Sequence, residues 1–329
     1  MTNLLDERTT VRVRSVHPLT GTGVHLNKHV EDKPVLGRRR FLIGGVAASA
    51  GALLLNAKSV SPASAADGDS LLDRIVKTKK VKLGVDLGFA PLQYRDPKNN
   101  NQPTGYSIEL AKLMMAELGA TIEYVEVPFG ELFAALQAGR FDMGGIPVTN
   151  LPSRGLKASF AGAPAFLEGS YVILKKGSTV TSAAALNNSG ITIAVLAGSS
   201  QAAAAKLNFP KAKLKELTDQ AQTVQEVATG RSDAVFIGEF GVADALTKNP
   251  GIQLLKVPPI FTAHNTFFLP QGDFKMWSFV TQFLQYKASD LTMAGLWDKF
   301  VGVEAAKVGL KTAAVYDPWL GASNTLSPK

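Results

Sequence analysis

The 329-residue chain contains no cysteine. That excludes disulfides, thiolate metal ligands, a thiol nucleophile and the lipid-bearing cysteine of a lipoprotein. Histidine is scarce as well. Of four, His17, His25 and His29 fall in the first 65 residues and His264 alone in the remainder. Histidine-based catalysis and multi-histidine metal sites therefore have no material to draw on, and no metal or other cofactor is expected. Charged residues make up 19% of the chain and hydrophobic ones 46%, the balance of a folded body rather than a disordered one. Excess charge is confined to the beginning of the chain. The formal net charge is +8, but residues 1–65 hold nine Lys/Arg and four Asp/Glu, or +5, which leaves +3 for the rest. No basic run marks a phosphate-tracking surface, so no nucleic acid is expected as a partner. The apolar, small-residue stretch 43–55 has 13 residues, short of the roughly 20 needed to cross a bilayer.

That stretch follows Arg38, Arg39, Arg40, Phe41 and Leu42, and precedes a polar tract ending in Ala63, Ser64, Ala65 and Ala66. The order of charged, apolar and small residues is that of an export signal. Paired arginines followed by Phe-Leu resemble the twin-arginine class, whose passengers cross the membrane already folded. Residues 1–65 are expected to be a cleaved leader, with the cut near Ala65 or Ala66. The mature chain is then expected to be a soluble periplasmic protein.

From Val81 onward, short β-branched runs alternate with helical patterns. Spans 82–86, 121–127, 141–148, 171–175, 191–196, 233–237 and 251–257 read as strands. Between 106 and 118, Ile108, Leu110, Ala111, Met114, Met115 and Leu118 recur close to the 3.6-residue helical period. Spans 131–137 and 273–296 read as helices too, the latter with Trp277, Val280, Phe283 and Leu284 on one face. Strands alternating with helices imply a mainly parallel sheet covered on both faces. Two segments look like counterparts. Gly139 and Arg140 lead to Asp142, and Gly230 and Arg231 lead to Asp233, each time from a helical pattern into a strand. Two similar α/β lobes are the simplest account. Residues 301–329, with Trp319, are expected to wrap on a lobe as a tail.

Four segments carry chemistry. Asp86, Phe89 and Pro91 lie at the end of the first strand, ahead of Gly105, Tyr106 and Glu109. A flat ring on a strand-end loop offers contact area at little entropic cost and draws a cation to its face. Phe129 follows Pro128 at a helix start. Thr149 and Arg154 stand in the run 147–154, followed by Phe160 and Pro164. A guanidinium grips a carboxylate with two parallel bonds, a geometry lysine does not reproduce. Gly198, Ser199 and Ser200 follow a strand and open an alanine-rich helix. A helix start presents free N–H groups and positive partial charge to an anion.

In this order the segments, from about Val81 to Phe300, resemble the periplasmic solute-binding proteins of polar-amino-acid ABC importers. The resemblance implies an α/β fold of the two-lobe periplasmic-binding-protein type (type II), with a ligand cleft between lobes. Residues 66–168 with 263–329 would form lobe one and 169–262 lobe two, joined by crossings near 167–171 and 258–263. It also implies that Phe89 and Phe129 sandwich the ligand and that Asp86 lies near its side chain. Thr149 and Arg154 would hold its α-carboxylate, with Gly198, Ser199 and Ser200 facing them. Amino-acid binders of this family usually carry an Asp five residues after the one matching Asp233, to pair with the ammonium. This chain has Gly238 there and Glu239 next. Either Glu239 substitutes or the ligand lacks a free amino group. The implied partners are a small carboxylate or amino acid and an inner-membrane ABC permease, with the chain acting as a monomer and not as an enzyme. Exported cyclohexadienyl dehydratases look similar; for that chemistry Asp86 and Glu239 are the conceivable acid–base pair. A sensory binding module would use the same pocket.

Overall fold

In the computed structural model, residues 70–310 are described. The expected leader over 1–65, and the end of the expected tail with Trp319, lie outside the described residues.

In the first lobe the strand Lys80–Val85 is flanked by the parallel strands Thr121–Glu126 and Met143–Gly144. The helix Tyr106–Glu117 buries Ile108, Leu110, Ala111, Met114 and Met115. In the second lobe the strand Thr192–Leu196 lies between Lys213–Leu217 and Ala234–Gly238, again parallel. The matched Gly-Arg steps have one physical cause. Gly139 and Gly230 take φ of 67° and 76° as their helices end, a left-handed conformation that costs glycine nothing. The Asp142 carboxylate then accepts the Lys82 amide at 2.7 Å, and the Asp233 carboxylate accepts the Thr192 amide at 2.8 Å. Each aspartate thereby fastens the strand it opens to the neighbouring parallel strand of its own lobe.

The crossings between the lobes are strands themselves. Phe166–Lys175 pairs antiparallel with Ala234–Gly238 on one side and with Phe261–Thr266 on the other. Phe261–Thr266 continues onto Val148–Thr149 of the first lobe. The second sheet is therefore mixed rather than mainly parallel, because the chain leaves and re-enters the first lobe in opposite directions. One hydrophobic core draws on residues from Leu71 to Phe166 and from Phe267 to Val301; it also takes in Leu196 and Phe240 from the second lobe. Two smaller cores cover the faces of the second sheet. Tyr106 pins the first crossing. Its buried hydroxyl donates to the Ala165 carbonyl, and its ring meets Phe166 and Trp297 edge-on at 5.9 and 5.1 Å. The expected helix over 273–296 is two helices, Phe274–Ser289 and Thr292–Trp297. The expected strand over 141–148 is reduced to Met143–Gly144 and Val148–Thr149.

Candidate functional site

Arg154 sits in the one-turn helix Pro152–Gly155 and is only 6% exposed. Its Nη1 donates to the Thr149 carbonyl at 2.7 Å, within its own lobe. Its Nη2 donates to the Gly198 carbonyl at 2.8 Å, across the cleft. The guanidinium carbon lies 5.7 Å from the Phe129 ring centre and 5.5 Å from that of Phe133, so the aromatic faces steady the cation. Burial lowers its pKa to about 10, opposed by the charge of Glu168, and it stays cationic at neutral pH. Two of its five N–H groups meet carbonyls, which leaves three for an anion.

A closed ring of polar side chains lies beside it. Asn265 Nδ2 donates to Glu168 Oε2 at 3.0 Å, which turns its Oδ1 toward Thr149 Oγ1 at 3.1 Å. An amide oxygen only accepts, so the single Thr149 hydroxyl proton goes to Asn265. Ser200 Oγ lies 3.0 Å from Thr149 Oγ1 and 3.3 Å from Gln201 Oε1, so its single proton has these two acceptors to choose between. Gln201 Nε2 completes the ring, donating to Glu168 Oε1 at 2.9 Å and to Ser170 Oγ at 3.0 Å. Glu168 is buried, and burial raises its pKa to about 7 against the lowering effects of Asn265, Gln201 and Arg154. Ser199 plays a different part: its Oγ accepts the Ala202 amide at 3.0 Å and caps the helix Ser200–Asn208. Gly198, at φ 72°, makes the turn into that helix.

Aromatic rings form the other wall. Phe89 lies 5.3 Å from Phe129 and 6.3 Å from Phe240, both tilted. Asp86 sets their loops: its carboxylate accepts the Gly88 amide at 3.0 Å and the Phe129 amide at 2.9 Å. Burial raises its pKa and these two bonds oppose the shift.

Between the walls is a cavity of about 30 Å³, lined among others by Phe89, Phe129, Thr149, Glu168, Ser199 and Ser200. That is room for a water or two, not for an organic ligand. In this conformation the lining groups are closed to an organic ligand. Of the residues singled out from sequence, Phe89, Phe129, Thr149, Ser199 and Ser200 line the cavity, and Arg154 bonds to Gly198 beside it. Asp86 and Glu239 do not line it. Glu239 Oε2 accepts the Gly169 amide at 3.1 Å, while its buried Oε1 has no hydrogen-bond partner among the described residues. Burial raises its pKa to about 8, with the charge of Glu168 adding to the shift. Sequence reasoning missed Glu168, Gln201, Phe240 and Asn265. Gln201 adjoins the Gly-Ser-Ser run, but the other three carry no local motif. Among the described residues, no group of three or more His, Asp or Glu could hold a metal ion.

Residues 81–303 match the family model described as "Bacterial extracellular solute-binding proteins, family 3". The chain is similar to the "Arginine-binding extracellular protein ArtP" of Bacillus subtilis, with 26% identity over 63% of this chain and 79% of that one. It is similar to the "L-cystine-binding protein TcyA" of the same organism, with 24% identity over 74% of this chain and 89% of that one. Among solved structures, the ancestral amino acid-binding protein AncCDT-1, a precursor of cyclohexadienyl dehydratase, is similar. It has a TM-score of 0.64 and 30% identity, and the alignment covers 70% of this chain and 100% of that one.

Proposed function

The chain belongs to the bacterial extracellular solute-binding proteins, family 3, and from that premise we propose that it is the substrate-binding subunit of an ABC importer. It captures an amino acid or a similar small carboxylate by closing two lobes around it, and hands it to an inner-membrane permease. Export through the twin-arginine leader would place it in the periplasm as a soluble monomer.

The observation that carries this reading is Arg154, a buried cation with spare donors whose two bonds end on different lobes. A carboxylate placed there takes up the free N–H groups, with the Ser200 end of the facing helix alongside. Such a ligand favours the closed form by its greater affinity for that form. The crossings 166–175 and 261–266 are the natural hinge, with lobe one formed by 66–168 and 263–329 and lobe two by 169–262. The relatives whose names specify an amino acid support the substrate class. The dehydratase reading is less well supported, because Asp86 and Glu239 both point their carboxylates at backbone amides.

A thermal-shift panel of L-amino acids, their deaminated analogues and betaines tests the proposal. A true ligand at about 100 times its Kd adds roughly 2.7 kcal/mol of stability. A shift with one or a few carboxylates is expected. A flat response across every carboxylate would overturn it.

A further inference from the structure

Gly238 ends a strand at the cavity wall with φ −70° and ψ 151°, a backbone that any residue adopts. Its lack of a side chain is therefore a matter of space. A Cβ there would lie 1.7 Å from Glu168 Oε1 and 2.8 Å from its Cδ. The carboxylate of Glu168, arriving from the neighbouring crossing strand, occupies the room that a side chain at 238 would use.

Among the described residues, Glu168 is the only ionisable one lining the cavity. Its hydrogen bonds come from two neutral amides, Gln201 and Asn265, and among the described residues no Lys or Arg nitrogen pairs with it. An ionised carboxylate offers about four acceptor directions, so capacity remains. A buried carboxylate without a counter-ion is costly, and a cation delivered by a ligand removes that cost. The same cavity holds the rings of Phe89, Phe129 and Phe240, whose faces favour a cation over an anion. Arg154 is near enough for its charge to act on Glu168, which gives the cleft a positive and a negative pole.

We infer that Glu168 is the counter-ion for a positively charged nitrogen of the ligand, with the anionic end of the same molecule on Arg154. The ligand class is then a zwitterion carrying an ammonium, and the carboxylate that meets it is supplied by the crossing strand rather than by position 238 or 239. This inference rests on reading the cleft as the site of a small carboxylate.

The test compares wild type, Glu168→Gln and Arg154→Ala by calorimetric titration with each common L-amino acid and its deaminated analogue. Glutamine keeps the shape of Glu168; its oxygen still accepts from one of the amides of Asn265 and Gln201, and the other amide can turn over to accept from its NH2. The expected result is that wild type binds at least one L-amino acid and that Glu168→Gln weakens it at least about 30-fold. A deaminated analogue, which has no ammonium to lose, should not be weakened by the same change. Equal affinity of wild type and Glu168→Gln for the amino acid would overturn the inference, as would a wild type that binds only deaminated acids. Both outcomes leave the carboxylate-binding reading standing provided Arg154→Ala loses the ligand; if wild type binds no carboxylate, both fall. Should Glu168→Gln not fold, the exchange Glu168→Gly with Gly238→Asp replaces it. Moving the carboxylate to the adjacent strand should restore ammonium-dependent binding, and a folded exchange variant blind to the ammonium would count against the inference.

Discussion

Arg154 holds one carbonyl from each lobe, so the two substitutions that test it separate charge from shape. Arg154→Lys keeps the cation but loses the fork that meets two carbonyls and a carboxylate at once. It is expected to weaken binding of any carboxylate ligand, read by titration, while the protein remains folded. Gly238→Ala probes the same wall sterically. Its Cβ would fall 1.7 Å from Glu168 Oε1, and overpacking of this kind costs about 1–3 kcal/mol, visible as a lower denaturation midpoint. The buried acids set the pH dependence of stability. Glu168 and Glu239 are raised by burial to about 7 and about 8 from an ordinary 4.5. Between the unfolded and folded values the native state holds protons that the unfolded chain has released. Stability therefore falls as pH rises through that window. The melting temperature should be higher near pH 5 than near pH 8, and Glu239→Gln should flatten the slope. A melting temperature that climbs from pH 5 to 8 would contradict this. Arg154, Thr149 and Phe89 were legible because each sits in a local motif of fixed spacing. Glu168 was not. It meets Gln201 and Asn265, 33 and 97 residues away in sequence, and only strand pairing brings them together.

Among the elements, one side chain caps two helices. Asp273 Oδ1 accepts the Met276 amide at 2.9 Å at the start of Phe274–Ser289. Its Oδ2 accepts the Leu71 amide at 2.6 Å at the start of Leu71–Thr78, and its Oδ1 also accepts the Ser70 hydroxyl. A single lost cap costs about 0.5–2 kcal/mol. Asp273→Ala should therefore lower the denaturant midpoint by more than one lost cap does, with an unchanged m-value; an unaltered midpoint would refute the double role. Elements with a strong internal period were readable in sequence, as the helix Tyr106–Glu117 shows. The crossing strand Phe166–Lys175 was read only from 171 on. Its first residues, Phe166 to Ser170, lack β-branched alternation, and their strand character comes from pairing with Phe261–Thr266. The helix over 273–296 was drawn too long because its apolar period carries through Ser289–Leu291, where Leu291 turns to φ 65°.

For the whole molecule, the proposed function requires a hinge that opens for ligand entry. The lack of native cysteine makes this measurable. Leu156, 80% exposed in the first lobe, and Leu207, 83% exposed in the second, accept cysteine-linked spin labels without disturbing a core. Ligand is expected to narrow the distance distribution toward its short end, whereas a distribution unmoved by a binding ligand would rule out hinge closure. Two lobes were legible from the repeated Gly-Arg and Asp pattern, since each half repeats one local device. The antiparallel continuity between the halves left no such trace.

The most direct measurement is a titration of the unfolded and refolded protein with the carboxylate selected by thermal shift, run side by side on wild type and Arg154→Ala. One ligand per chain, bound at least about 30-fold more weakly by the folded variant, is the predicted result. Equal affinity in the two proteins would contradict a ligand gripped between Arg154 and the facing lobe.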